Sequence, residues 1–294
     1  MAAPSAPERQ NMLERLSRSW RLFKASASVL MQDQELLLFP LISLGALVVL
    51  VLSFAAPVIG LAFAGGFQTH PGGGWSASAY VLGFLFYFSQ YFVIFFFNTA
   101  LVGAAMIRLE GGTPTFRDGL RIASDRVGAI ATYALIAATV GVILRVLQER
   151  LGFIGRIIVG LLGLAWTVAT YLVVPVLAVR KVGAVDAVKE SAALIKTTWG
   201  ENVIGQMGLG AVFSFVFLAV AGLGTLLVIA AVMMQSVTAI VAALLVAILL
   251  LGVTGLVHSA LTGIYSAALY RWATTGKDSM GFEPDTLRLA FAPK

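Results

Sequence analysis

The sequence predicts an all-α, polytopic transmembrane helical bundle of about six spans, and three observations predict it. Hydrophobic residues make up 59% of the 294-residue chain and charged residues only 12%, whereas a soluble domain carries about a quarter charged residues. The charges fall in clusters, leaving uncharged runs at 36–107, 127–144, 157–179 and 202–270. In lipid, only helices and closed barrels satisfy their own backbone polar groups, and no alternating segments of about ten residues support a barrel. The same composition excludes whole classes of function. With no Cys there is no disulfide, thiol nucleophile or thiolate metal site, and two His residues leave no room for a His-based metal cluster. No metal and no cofactor are expected.

A helix needs about 20 apolar residues to cross a hydrocarbon core of about 30 Å. The first and last uncharged runs are long enough to fold back once each. Their expected turns are the Gly- and Pro-rich segment Gly65–Trp75 and the polar break Gln235-Ser236. The two middle runs supply one span each. The expected helices are therefore 37–64, 77–107, 127–147, 157–179, 203–233 and 238–270. The membrane domain is placed at 36–271, between an N-terminal segment of 1–35 and a tail of 272–294.

The net charge of +6 and pI near 9.8 would suit nucleic acid only if the cations were not beside the spans. Seventeen Lys and Arg flank one end of the expected spans, and only Arg145, Arg150 and Arg156 flank the other. The positive-inside rule then puts both termini in the cytoplasm and excludes a nucleic-acid partner. The first 35 residues are too long and too charged for a cleavable signal peptide, so the first span is expected to be an uncleaved anchor.

An apolar stripe precedes each span that runs outward. Leu13, Leu16, Trp20, Phe23, Ala27 and Leu30 recur at alternating spacings of three and four, as do Phe116, Leu120, Ala123 and Val127. The third set is Val185, Val188, Ala192, Ile195 and Trp199. That period lays one apolar face along a helix with Arg and Lys beside it. Such helices suit the cytoplasmic membrane face, with membrane lipid and its anionic headgroups as partners, or else pack on the bundle. A second echo relates Asn98-Thr99-Ala100-Leu101-Val102-Gly103 to His258-Ser259-Ala260-Leu261-Thr262-Gly263, each followed by an Arg (Arg108, Arg271). At 1.5 Å per residue the count places Asn98 and His258 about 15–20 Å in from the cytoplasmic edge. The chain reads as three copies of surface helix plus hairpin, the middle one diverged.

Polar groups at membrane depth are costly and each is a candidate site. These are Gln90, Asn98, Arg145, Gln206 and His258, with no Asp or Glu inside a span to couple protons or sodium. His258 could titrate and gate a pathway, or make an interhelical hydrogen bond to Asn98. Arg145 could pair with Glu149 one turn on, or line an anion-attracting vestibule with Arg150 and Arg156. Gly255, Ser259, Gly263 and Ala267 recur every fourth residue, the spacing that lets helices approach closely. The approaching helix can belong to the same chain or to a second copy in a homo-oligomer. Span two is rich in aromatics from Tyr80 to Phe97, as expected for lipid and core contact.

No P-loop, H-E-x-x-H, G-x-S-x-G or thiol–His pair is present, so no catalytic residue is expected. Gly74-Trp75-Ser76-Ala77-Ser78 lacks the closing glycine of a nucleophile elbow, and Ser191 beside Lys189 and Glu190 reads as part of an exposed polar face.

Several segments are similar to a known family. Asn98-Thr99-Ala100-Leu101, Glu110-Gly111-Gly112-Thr113-Pro114-Thr115-Phe116-Arg117-Asp118-Gly119-Leu120, Ala138-Thr139-Val140-Gly141, Glu149-Arg150, Gly163-Leu164-Ala165-Trp166 and Thr198-Trp199-Gly200-Glu201 carry the likeness. They resemble a "domain of unknown function" family of prokaryotic multi-pass membrane proteins, over about Trp20 to Arg271. The chain also resembles the membrane domains attached to some glycerophosphodiester phosphodiesterases, without their catalytic domain. The resemblance implies a six-span protein of the prokaryotic inner membrane and supplies no activity. Two functions are in view. One is a non-catalytic membrane-organising or partner-binding protein acting through basic amphipathic helices. The other is a channel or transporter for a small solute, an anion being one option, along Asn98, His258 and Arg145.

Overall fold

A computed structural model describes residues 23–66, 76–199 and 208–276. Residues 23–32 are helical (α1) and end at Asp33, where a 3-10 turn, Gln34–Leu37, leads into α2 (Leu38–Phe63). There follow α3 (Ala77–Leu109), α4 (Phe116–Ser124), α5 (Val127–Arg150), α6 (Phe153–Ala169), α7 (Val173–Val179), α8 (Ala184–Trp199), α9 (Gly208–Met233) and α10 (Val237–Thr275). No strand occurs among the described residues. Six helical segments are long and apolar enough to cross a membrane: Gln34–Phe63, Ala77–Leu109, Val127–Arg150, Phe153–Val179, Phe213–Met233 and Val237–Thr275. The fold is therefore an all-α helical bundle of membrane-spanning type.

The expected turns have local causes. Gly65 takes a left-handed φ of 73° just past α2, and Gly66 N–H donates to the Leu61 carbonyl, closing the helix end. The remainder of that turn, 67–75, lies outside the described residues, as do 203–207 and Gln206. At the second turn Gln235 takes φ 52°, and the Ser236 hydroxyl accepts from Ala239 N–H to cap α10.

The fourth span departs from expectation. In place of one helix over 157–179 there are two, α6 and α7, interrupted at 170–172. Pro175 has no N–H to offer the Tyr171 carbonyl. The chain tightens there, with Tyr171 N–H donating to Val168 O and Val173 N–H to Thr170 O. Pro57 sits inside α2 without breaking it, so proline alone does not make the interruption.

Helix length is a second feature of the fold. At 1.5 Å per residue, the 39 residues of α10 span about 58 Å and the 33 of α3 about 50 Å, well beyond a core of about 30 Å. Counted from the turn at Gln235, the first 20 or so residues of α10 are by themselves long enough to cross the core. That part is open, with Val241, Leu245, Leu249 and Val253 at least half exposed, whereas Ala260, Leu261, Ile264 and Tyr265 to Tyr270 are buried in protein. Burial concentrates where a helix ends on a basic cluster: Ala100 to Leu109 around Arg108, with Ile107 and Arg108 half-buried, Leu172 to Ala178 before Arg180 with Val174 half-buried, and Ala260 to Tyr270 before Arg271 with Thr262 and Gly263 half-buried.

The chain divides into two compact units. The first holds the described residues within 1–37, 105–113 and 198–294. In it α9 and α10 form a hairpin and lie close together at Gly224, where a Cβ would stand 3.0 Å from that of Ala247. Arg108 closes its basic end, with Nε 2.9 Å from Asp33 Oδ2 and its guanidinium donating to Gln32 Oε1 at 2.9 Å and to the Gly112 carbonyl. Arg271 donates to the carbonyl of Leu109. The second unit holds 38–104 and 114–197. There α3 and α5 run antiparallel in one register, Tyr87 facing Arg145, Tyr91 facing Gly141 and Phe95 packed on Tyr133.

Candidate functional site

The residues with chemistry to offer lie on the surface helices and at the helix ends. α4 begins with a capping box: the Thr115 hydroxyl accepts from Asp118 N–H, and the Asp118 carboxylate accepts from Thr115 N–H. The Thr115 side-chain and backbone donors hold the Asp118 carboxyl below its ordinary value, with Arg121 and Arg117 adding to the effect. α4 packs by its small residues. Gly119 and Ala123 are buried, Phe116 stacks on Phe39 at 4.8 Å, and a Cβ on Gly119 would come within 2.6 Å of the Ala100 carbonyl. Phe116 and Leu120 of the expected stripe are half-buried and Val127 is exposed, so that stripe is only partly covered by protein.

On α8 the buried line differs from the expected one. Ala184, Ala187, Ser191 and Ile195 are buried, while Val185 is 53% exposed and Val188 and Ala192 are half-buried. Ser191, read from sequence as part of an exposed polar face, is fully buried. Its hydroxyl donates to the Ala169 carbonyl at 2.7 Å and accepts from Leu172 N–H at 3.0 Å. Those are backbone groups freed where α6 stops short of α7, so the serine bridges the interruption. The covered face holds the helix down and its neighbouring face shows Val185 with Lys181, Lys189 and Lys196, all exposed. Glu190 is taken by Arg180 at 2.8 Å. Of the first stripe, Leu13, Leu16 and Trp20 lie outside the described residues; Leu30 is buried and Phe23 and Ala27 are half-buried.

The described intramembrane candidates each have their own surroundings. Arg145 donates from Nε to Glu149 Oε1 at 3.2 Å, the pair its spacing suggests, and from its guanidinium to the Tyr87 hydroxyl at 2.8 Å, which the sequence did not indicate. Arg150 is exposed, and Arg156 Nε donates to the Leu151 carbonyl. Gln90 and Asn98 are half-buried on α3. Asn98 and His258 belong to different units. Within its unit His258 packs on rings, 4.3 Å from Phe213 and edge-on to Phe217 at 5.8 Å. Along the small-residue stripe, Ala267 is buried, Ser259 and Gly263 are half-buried, and nothing stands within 4 Å of a Cβ on Gly255. Among the described residues no group of His, Asp and Glu could hold a metal ion.

No curated protein and no solved structure matches the chain. A family described as "Family of unknown function (DUF6159)" matches residues 77–281. That stretch is more than half of the chain and takes in α3 to α10. It includes the capping box of α4, the bridging serine of α8 and the hairpin that carries His258. The chain belongs to the DUF6159 family.

Proposed function

We propose that this is a non-catalytic integral membrane protein of a prokaryotic inner membrane, with both termini cytoplasmic. Its basic surface helices bind anionic headgroups and so organise the membrane or a partner on it. The observation that carries the reading is the two-faced α8, pinned through buried Ser191 and showing Val185, Lys189 and Lys196 on the outside. A helix fixed in this way presents its cations at the headgroup level without the entropy loss of ordering on binding. Each juxtamembrane Lys contributes about 1 kcal/mol toward an anionic surface. The test is reconstitution with spin-labelled phosphatidylglycerol and phosphatidylcholine. The protein should enrich phosphatidylglycerol in its lipid shell, and K189Q/K196Q should cut that preference by about fivefold per lysine. Equal shells for the two lipids, or a double variant that behaves as wild type, would overturn it.

A second reading, a channel or transporter for a small anionic solute, draws on the interrupted α6–α7 helix, because broken membrane helices occur where backbone lines a site or is covered by protein. Anion flux from loaded liposomes that R145Q abolishes would favour it. Absent flux in wild type removes it.

A further inference from the structure

In the second unit, one end carries its charges in a single tight turn. α5 starts beside α4 at Arg126 and runs to Arg150, and α6 returns after only Leu151 and Gly152. The turn therefore lies at the end away from α4 and α8 and their arginines and lysines. The α2–α3 connection of the same unit, 64–76, has no Asp, Glu, Lys or Arg in its sequence. Between 145 and 156 the charged residues are Arg145, Glu149, Arg150 and Arg156. Arg145 pairs with Glu149 at 3.2 Å and donates to the Tyr87 hydroxyl, so the one carboxylate of the turn is already neutralised. Arg156 Nε donates to the Leu151 carbonyl at 3.4 Å, which folds its guanidinium back over the turn beside Arg150. Arg150 is exposed, and among the described residues no hydrogen bond or ion pair engages it. Two positive charges are left over.

The same turn is apolar at its tip. Phe153 is 78% exposed and Ile154 73%. Leu151 folds against Gly155, where a side chain would collide with it, and the two large residues between Gly152 and Gly155 stay uncovered. The 24 residues of α5 span about 36 Å against a hydrocarbon core of about 30 Å. A helix that starts at Arg126 in one headgroup region thus ends with Arg150 in the other. Cations on the side away from the main basic clusters run against the bias that orients membrane helices.

We infer that the α5–α6 turn is a lipid-binding surface of its own, which holds the phosphates of anionic phospholipid headgroups in the leaflet away from α8. Phe153 and Ile154 enter the acyl boundary, and Arg150 and Arg156 meet the phosphates beside them. Interfacial affinity combines buried apolar area with attraction to anionic lipid, and this turn offers both within seven residues, 150–156. A guanidinium binds phosphate through parallel N–H donors, and Arg156 keeps its terminal nitrogens for that purpose because the bond to Leu151 uses Nε. A zwitterionic headgroup brings its own cation and gains less from the arginines. The surface shares no residue with α8, so it stands or falls apart from the headgroup reading of that helix.

The test uses the full chain, whose lack of Cys lets a single Ile154→Cys carry a bimane fluorophore. In phosphatidylcholine nanodiscs, brominated phosphatidylglycerol should quench it at lower mole fraction than brominated phosphatidylcholine does. R150Q/R156Q should cut that preference by about fivefold per arginine. R150Q alone, which leaves the Arg156–Leu151 bond in place, should lose one such factor. Both arginines are exposed, so both variants should unfold as wild type does. K189Q/K196Q should leave the quenching at position 154 unchanged. Equal quenching by the two lipids, or a preference that R150Q/R156Q retains, would overturn the proposal. So would a preference lost in K189Q/K196Q, which would trace the lipid to α8. Inorganic phosphate that removes the preference, where sodium chloride of equal ionic strength does not, would give the turn to a soluble anion instead and overturn it too.

Discussion

Ser191 satisfies two backbone groups that have no helical partner and that lie 19 and 22 residues away from it along the chain. Arg145 and Glu149, four apart on one helix, were legible from their spacing. Replacing Ser191 by Ala leaves the Leu172 N–H and the Ala169 carbonyl unpaired in a protein-covered site. We expect a loss of about 2–4 kcal/mol, read as earlier thermal unfolding in detergent, against a change within about 0.5 kcal/mol for Thr139→Ala on an exposed face. An unaltered S191A transition would mean that the interruption is satisfied by other groups. Asp118 gives a pH-dependent counterpart. Its carboxyl is held below the ordinary value of 3.8 in the folded state. It therefore supports the start of α4 above that value, and the support is lost as pH falls through the lower, folded-state value. Amide exchange in α4 should accelerate below about pH 4 in wild type and show no such step in D118N.

At the scale of elements, what decides the packing of a surface helix is where it has no side chain. Gly119 lets α4 lie against the Ala100 carbonyl and Phe39, and Gly103 of α3 makes room for Ile122, with a Cβ there only 2.8 Å from the isoleucine. Gly128 at the start of α5 has nothing within 4 Å. Gly119→Ala should then cost about 1–3 kcal/mol through a displaced α4, while Gly128→Ala should be neutral or stabilise by up to about 1 kcal/mol through helix propensity. Paired denaturation curves in one detergent check both, and equal effects would show that α4 is not seated as described. The spans themselves were readable, since charge is excluded from lipid and the gaps between clusters mark them. The split of the fourth span was not, because Pro57 and Pro175 look alike in apolar sequence and only one has a tertiary partner waiting. The covered line of α8 through Ala184, Ala187, Ser191 and Ile195 was hard to read beside the more apolar stripe, because close contact with another segment selects small residues.

For the whole molecule the decisive quantity is helix length against bilayer thickness. α3 and α10 exceed a core of about 30 Å by roughly 20 Å and 28 Å, and each is buried in protein toward the end that carries Arg108 or Arg271. We expect these protein-covered ends to stand outside the hydrocarbon as a folded layer. Single nitroxide labels test this directly. A label at 249 should be shielded from a water-soluble relaxer and open to oxygen. Labels at 97 and 257, one residue before Asn98 and His258, should show the depth of the headgroup boundary. Impermeant maleimide should reach cysteines at 117 and 189 from one face and at 153 from the other. If labels at 257 and 249 report the same depth, Asn98 and His258 sit well inside the hydrocarbon, the buried ends of α3 and α10 are within the membrane, and the layer does not exist. Labelling of 117 and 189 from opposite faces would go further and undo the assignment of spans on which the layer depends.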